Sequence, residues 1–264
     1  MSAPALAPRL AGSPLVVAGC RLEYRWIPPA RATALTFVLL HDGLGSVGLW
    51  RDFPECLAQR TGAGVFLYSR AGHGRSEPAA RARGADYLHH EALDVLPAVL
   101  ADRGIEHPVL LGHSDGGSIA IIYAGHGRWT PRALVLEAPH VFIEGVTLRG
   151  VSEARHEYQR GALRAKLRRW HDDVDRTFYG WADVWQRPEA RSWNIESFLH
   201  RIRCPVMVVQ GEDDSYGTLA QVEAIGRQTA GPVDTLVLPR CGHAPHCEAE
   251  AEVIEEVAHF VTRL

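Results

Sequence analysis

The sequence predicts an α/β protein in which helices cover both faces of a mostly parallel sheet. Short apolar runs built largely from Val, Ile and Leu recur along the 264-residue chain, as strands buried on both faces require. Between several of them lie segments whose apolar residues recur at helical spacing, and such alternation builds a sheet sandwiched between helix layers. At Leu110-Leu111-Gly112-His113-Ser114-Asp115-Gly116-Gly117 a strand turns abruptly into a helix around a serine set between glycines, and that junction belongs to this class of fold.

Residues 15–26 read as an antiparallel amino-terminal hairpin. Buried strands are predicted at residues 35–40, 65–68, 109–111, 133–136, 206–209 and 235–238. The alanine- and leucine-rich stretch 87–100 reads as a helix, and Ile119, Ile122 and Tyr123 continue one after the glycine turn. Val253, Ile254, Val257, Phe260 and Val261 mark a last helix. From Val141 to about His200 the alternation stops, and a helical, arginine- and aromatic-rich stretch holds Trp170, Trp181, Trp185 and Trp193, four of the seven tryptophans. The expected organisation is a core of residues 1–140 and 201–264 with an inserted helical lid at residues 141–200. Trp170, Trp181 and Trp185 are its candidate substrate-binding rings, although aromatics supply packing area as readily as pocket walls.

Composition narrows the function classes. The apolar content of 46% supports a sizeable core, and 22% charged residues with a net charge of -3 provide no broad basic surface for nucleic acid. Lys166 is the only lysine, which reads as a composition bias rather than a phosphate-binding device. Five cysteines form an odd, unclustered set, as in a reducing compartment. Cys241, His243, His246 and Cys247 lie close in sequence but lack a C-x-x-C or H-E-x-x-H element, so no metal is expected. Residues 1–11 have neither a basic start nor a long apolar stretch, so a soluble, cytoplasmic protein without a membrane partner is expected. Its oligomeric state stays open.

The serine junction carries the chemistry. Gly112 and Gly116 leave room for a strained turn that projects the Ser114 hydroxyl from the carboxyl edge of the sheet. A hydroxyl is a poor nucleophile near neutral pH and needs a base, which in turn needs an acid to hold its tautomer. His243, in the loop Cys241-Gly242-His243-Ala244-Pro245, is the candidate base, with His246 its rival. Asp214, in Gly211-Glu212-Asp213-Asp214, is the candidate acid, with Asp213 and Glu137 its rivals. An oxyanion must be met by positioned N–H donors, and the candidates are the amides of Asp115, at a helix start, and Gly43, with Leu44 as the alternative. The Asp115 carboxylate either binds a substrate ammonium or complements the helix start. His140, at a strand end, either faces the pocket or is a loop histidine.

In this order the loops resemble those of α/β-hydrolase-fold proteins, in particular the small serine esterases, lactonases and carbon–carbon bond hydrolases. The resemblance spans nearly the whole chain and rests on His41 to Ser46 with Trp50, the turn Arg70-Ala71-Gly72-His73-Gly74-Arg75-Ser76, the serine junction, the acid loop and the Gly-His loop. It implies a cofactor-independent hydrolase that forms an acyl-enzyme on Ser114 with a small ester, lactone or related acyl compound. The same three groups serve carbon–carbon cleavage of ring-cleavage diketones, and the fold also permits a non-catalytic ligand receptor. The Gly-x-Ser-Asp-Gly-Gly form resembles that of hydrolases of amino-acid esters, the source of the ammonium reading for Asp115. Two positions depart from the group: Asp42 stands where glycine is usual, and Ser69 where aspartate is usual.

Overall fold

The computed structural model describes residues 13–31, 35–78 and 83–264; the expectation for residues 1–11 lies outside them. In chain order the elements are β1 (Leu15–Val17), β2 (Cys20–Leu22), β3 (Tyr24–Ile27), β4 (Thr36–Leu40), α1 (Phe53–Thr61), β5 (Gly64–Tyr68), α2 (Tyr87–His90), a π-helical turn (Glu91–Val95), α3 (Leu96–Arg103), β6 (Val109–His113), α4 (Asp115–Gly125) and β7 (Ala133–Glu137). There follow α5 (Gly145–Gln159), α6 (Ala162–Leu167), α7 (Val174–Trp185), β8 (Val206–Gly211), α8 (Leu219–Gln228), β9 (Val233–Leu238), α9 (Pro245–Glu248) and α10 (Glu250–Val261).

Seven strands form the main sheet in the order β3-β5-β4-β6-β7-β8-β9. All neighbours are parallel except β3, which runs antiparallel to β5. The apolar runs divide between two cores by strand periodicity. Val38, Leu110, Leu134, Leu136 and Val208 face one cluster, whereas Phe37, Leu39, Leu111, Val135 and Val209 face the other. Successive side chains of a strand point to opposite faces, so only a sheet covered twice makes both sets apolar. Helix α4 is buried along its whole length, as a helix apolar all round must be, and α1 and α10 close the opposite face.

Two expectations change in detail. The amino-terminal hairpin is confined to β1 and β2, and β3 leaves it to become the sheet's edge strand. Strand β9 is only partly buried, with Val237 37% exposed, because it is the opposite edge of the sheet and has one neighbour rather than two. The segment between β7 and β8 is helical, as expected, and several of its side chains, among them Val151, Phe178 and Trp181, merge with the core on the β4–β6 face. No helix among the described residues is long and apolar enough to cross a membrane.

The strand order fixes where a site can form. From β4 the chain steps to β5 on one side, and from β5 it crosses back to β6 on the other side of β4. The loops after β4 and β6 therefore leave the sheet in opposite directions and open a crevice at its carboxyl edge, where open α/β sheets bind ligands.

Candidate active site

The turn after β6 is strained. Ser114 has φ 53° and ψ -114°, a conformation that costs a non-glycine residue free energy and persists only where its surroundings impose it. Those surroundings are glycine. A Cβ on Gly112 would meet the Gly116 carbonyl oxygen at 2.2 Å, and one on Gly116 would meet that of Leu40 at 1.9 Å. Strand β6, helix α4 and strand β4 thus approach at backbone contact, and the Ser114 side chain is left at the crevice.

His243 reaches the same crevice from the loop after β9. Its Nδ1 lies 2.9 Å from both carboxylate oxygens of Asp214, whose side chain is 1% exposed. Asp214 is itself fixed: Oδ1 accepts the Tyr216 N–H at 2.7 Å, and Oδ2 accepts from Gln210 Nε2 at 2.7 Å. Burial alone would raise the Asp214 pKa, but the hydrogen bond and charge of His243, with the Tyr216 and Gln210 donors, hold it down to about 2. The carboxylate therefore stays ionised and fixes a proton on His243 Nδ1, leaving Nε2 as the acceptor.

The rivals fall elsewhere. Asp213 is exposed. Glu137 is fully buried and pairs with His246 at 2.8 Å, so these two acid–base alternatives form a second pair with each other, beneath Trp50 and Phe53. Burial opposes an imidazolium at His246, but the Glu137 carboxylate outweighs it and lifts the pKa to about 10. Between the pairs lies His113, whose Nε2 donates to the His243 carbonyl oxygen at 2.6 Å. Burial, reinforced by the charge of His246, lowers the His113 pKa to about 4, which keeps its ring neutral. The side chains of His243 and His246 thus turn to different carboxylates, and no group of His, Cys, Asp and Glu suited to a metal occurs among the described residues.

Ser114 and His243 line one cavity, together with Asp42, Gly43, Leu44, Asp115, His140, Trp181, Trp185 and Tyr216. The Gly43 N–H has no hydrogen-bond partner among the described residues, whereas the Leu44 N–H is used by Asp42 Oδ2 at 3.3 Å. Gly43 is thereby the better donor of the two. The Asp115 N–H opens α4, where no intrahelical acceptor exists. A Cβ on Gly43 would lie 2.2 Å from the Trp181 indole nitrogen, so the ring roofs this glycine closely. His140 is buried, its ring stacks on His243 at 5.8 Å, and its Nδ1 has no partner. Burial, with the His243 charge second, lowers its pKa to about 4.

Two expectations for cavity side chains need correction. Trp170 is not among the lining residues; its ring lies over Gly48, where a Cβ would meet it at 2.6 Å, because the turn after α6 directs it to the β4 loop rather than over the crevice. The Asp115 carboxylate is not a free anion. Its Oδ2 accepts from the Tyr87 hydroxyl at 2.5 Å and lies 3.6 Å from an Arg70 nitrogen, with both charged side chains 3% exposed. Ile143, Thr147 and Val151 also line the cavity and are absent from the sequence reading. Thr147 and Val151, four residues apart on one face of α5, are marked by that spacing, whereas Ile143 precedes the helix. At Ser69, Glu23 supplies the carboxylate that the departing position lacks: its Oε2 accepts from Ser69 Oγ at 2.7 Å and from Arg75 N–H at 3.0 Å.

Residues 37–256, which hold most of β4, the serine turn, both pairs and most of α10, match the alpha/beta hydrolase family. The chain belongs to that family. Human serine hydrolase BPHL is 31% identical over 160 residues, which cover 57% of this chain and 53% of that protein, so the match spans about half the length of this curated relative. The enol-lactonase from Burkholderia xenovorans superposes with a TM-score of 0.75 at 18% identity, over 95% of this chain and 100% of its own. Proline iminopeptidase of Mycobacterium smegmatis does so with 0.75 at 20% identity, over 95% and 98%. At these identities the structural likeness is one of fold.

Proposed function

We propose that this family member is a cofactor-independent serine hydrolase that cleaves a small ester or lactone through an acyl-enzyme on Ser114. The observation that carries the reading is the His243 imidazole, held by buried Asp214 at 2.9 Å and lining the same cavity as the strained Ser114. In the proposed sequence His243 Nε2 takes the Ser114 proton as Oγ attacks the acyl carbon, and the N–H groups of Gly43 and Asp115 meet the oxyanion. The imidazolium then protonates the leaving alcohol. A water activated by the same nitrogen attacks the acyl-enzyme, and its collapse returns Ser114 and releases the acid. Asp214 remains ionised throughout. The names of the lactonase and serine hydrolase relatives support this class, and Leu44, Ile143, Val151, Trp181 and Trp185 give the cavity apolar walls suited to a small apolar acyl or alcohol group.

The experiment is a substrate panel of nitrophenyl esters and lactones beside a vinylogous diketone, run as a function of pH. Turnover of an ester or lactone in preference to the diketone is the expected result; cleavage of the diketone alone would assign carbon–carbon chemistry instead. The proton-accepting imidazole must be neutral to act, since an imidazolium accepts no proton. Asp214, with a pKa of about 2, and His140, at about 4, are already deprotonated above about pH 5 and add no proton to an acid limb there. An acid limb above about pH 5 that needs two protons contradicts the assignment of one base.

A further inference from the structure

Arg70 is the unusual feature of the site: a guanidinium only 3% exposed that is not among the residues lining the cavity of Ser114 and His243. It arises in the turn after β5, and because β5 lies parallel beside β4 that turn comes against the loop carrying Gly43. One Arg70 nitrogen donates to the His41 carbonyl oxygen at 2.5 Å and the other to that of Asp42 at 2.8 Å. The latter also lies 3.6 Å from Asp115 Oδ2. His41 completes the clamp. The Arg70 backbone N–H can only donate, so His41 Nε2, 3.0 Å away, must accept, and the proton on Nδ1 then donates to the Asp42 carbonyl oxygen at 2.8 Å.

The consequence lies in one peptide plane. The Asp42 carbonyl and the Gly43 N–H belong to the same trans peptide and point in opposite directions. With the carbonyl held down by Arg70 and His41, the N–H is turned away from them, towards the cavity that Gly43 shares with Ser114. The same guanidinium holds the carboxylate of Asp115, whose backbone N–H is the second donor. We infer that Arg70 is the positioning residue of the oxyanion hole, a single buried fork that sets both N–H donors against one another. The inference rests on the acyl-enzyme reading above. It also accounts for the tolerance of Asp42 where the group has glycine, since the peptide's orientation is imposed by its carbonyl partners.

Two variants test it. Arg70→Lys keeps a charge for Asp115 but lacks the planar fork that spans two carbonyls, and Arg70→Met with Asp115→Asn removes both charges, so that neither is left buried alone. Each folded variant is expected to lose about 10- to 100-fold in kcat on a nitrophenyl ester while KM changes by less than about threefold, the pattern of an interaction made mainly in the transition state. Affinity for a trifluoromethyl ketone, whose adduct carries an oxyanion, should fall in parallel. A merely structural role would lower the melting temperature and leave kcat and ketone affinity of the folded protein unchanged, and that result overturns the inference. So does failure of both variants to fold, which assigns Arg70 to the fold alone. Ser114→Ala is run beside them: if it retains wild-type turnover, the acyl-enzyme reading fails, whereas an inactive Ser114→Ala with a fully active Arg70→Lys removes only the clamp.

Discussion

Ser114→Ala is expected to lower turnover of the best ester by about 10³-fold or more while leaving the protein folded. The substitution removes only a hydroxyl, and the backbone strain at φ 53° is imposed by the contacts of Gly112 and Gly116, which alanine leaves in place. His243→Ala should cost a similar factor. The double variant should be no worse than either single one, because nucleophile and base act as a unit and the loss of one idles the other. Any residual rate over water then reports the Gly43 and Asp115 donors and binding in the cavity. Steady-state kinetics on the three variants, with circular dichroism to verify folding, measure this; additive losses would mean that the two residues do not act on one proton.

Glu137→Gln is expected to cost about 3–5 kcal/mol of stability at neutral pH, the usual penalty for removing one partner of a buried ion pair. Glu137 is fully buried and His246 nearly so, so the charge left behind would be poorly solvated. The pH dependence gives the sign. Because folding raises the His246 pKa from the ordinary imidazole value to about 10, the pair contributes fully below about pH 6.5 and loses its contribution as pH rises towards the folded value. The gap between wild type and Glu137→Gln in urea midpoint should therefore narrow from pH 6 to pH 9. A gap that is constant or widens over that range would show that His246 is neutral in the folded protein. The variant also probes function at a distance, since His113 touches the His246 ring at 4.9 Å and holds the His243 carbonyl.

The fold was legible because burial on both faces leaves a local trace. Residues 37–40 and 109–111 are apolar at every position, and only a doubly covered strand asks for that. The same rule misled at residues 235–238, where β9 is an edge and the adjacent polar pair Asp234 and Thr235 is exposed. The serine turn was legible for a different reason: its glycines are demanded by backbone contact, which no other residue satisfies. The pairing of acids with bases was legible only in part: loop order pointed to Asp214 with His243, which pair, but not to Glu137 with His246. Asp213 and Asp214 are adjacent and chemically alike, and only the turn that buries one against Gln210 separates them. Glu137 and His246 are 109 residues apart and find each other only once β7 lies beside β8. Trp170 could not be told from Trp181 by composition, since the difference is the direction in which a short helix ends. Arg70 stood in a turn motif with no sign that its side chain would be buried, because that follows from β5 lying next to β4 rather than from any neighbour in sequence.

The central claim is that Ser114 is a nucleophile with its own base. A fluorophosphonate probe, followed by digestion and mass spectrometry, measures this most directly, since the reagent phosphonylates serines activated in this way. A single adduct on the peptide carrying Ser114, absent from Ser114→Ala and strongly slowed in His243→Ala, is the predicted result. An adduct on another residue, or equal labelling of Ser114→Ala, would contradict it.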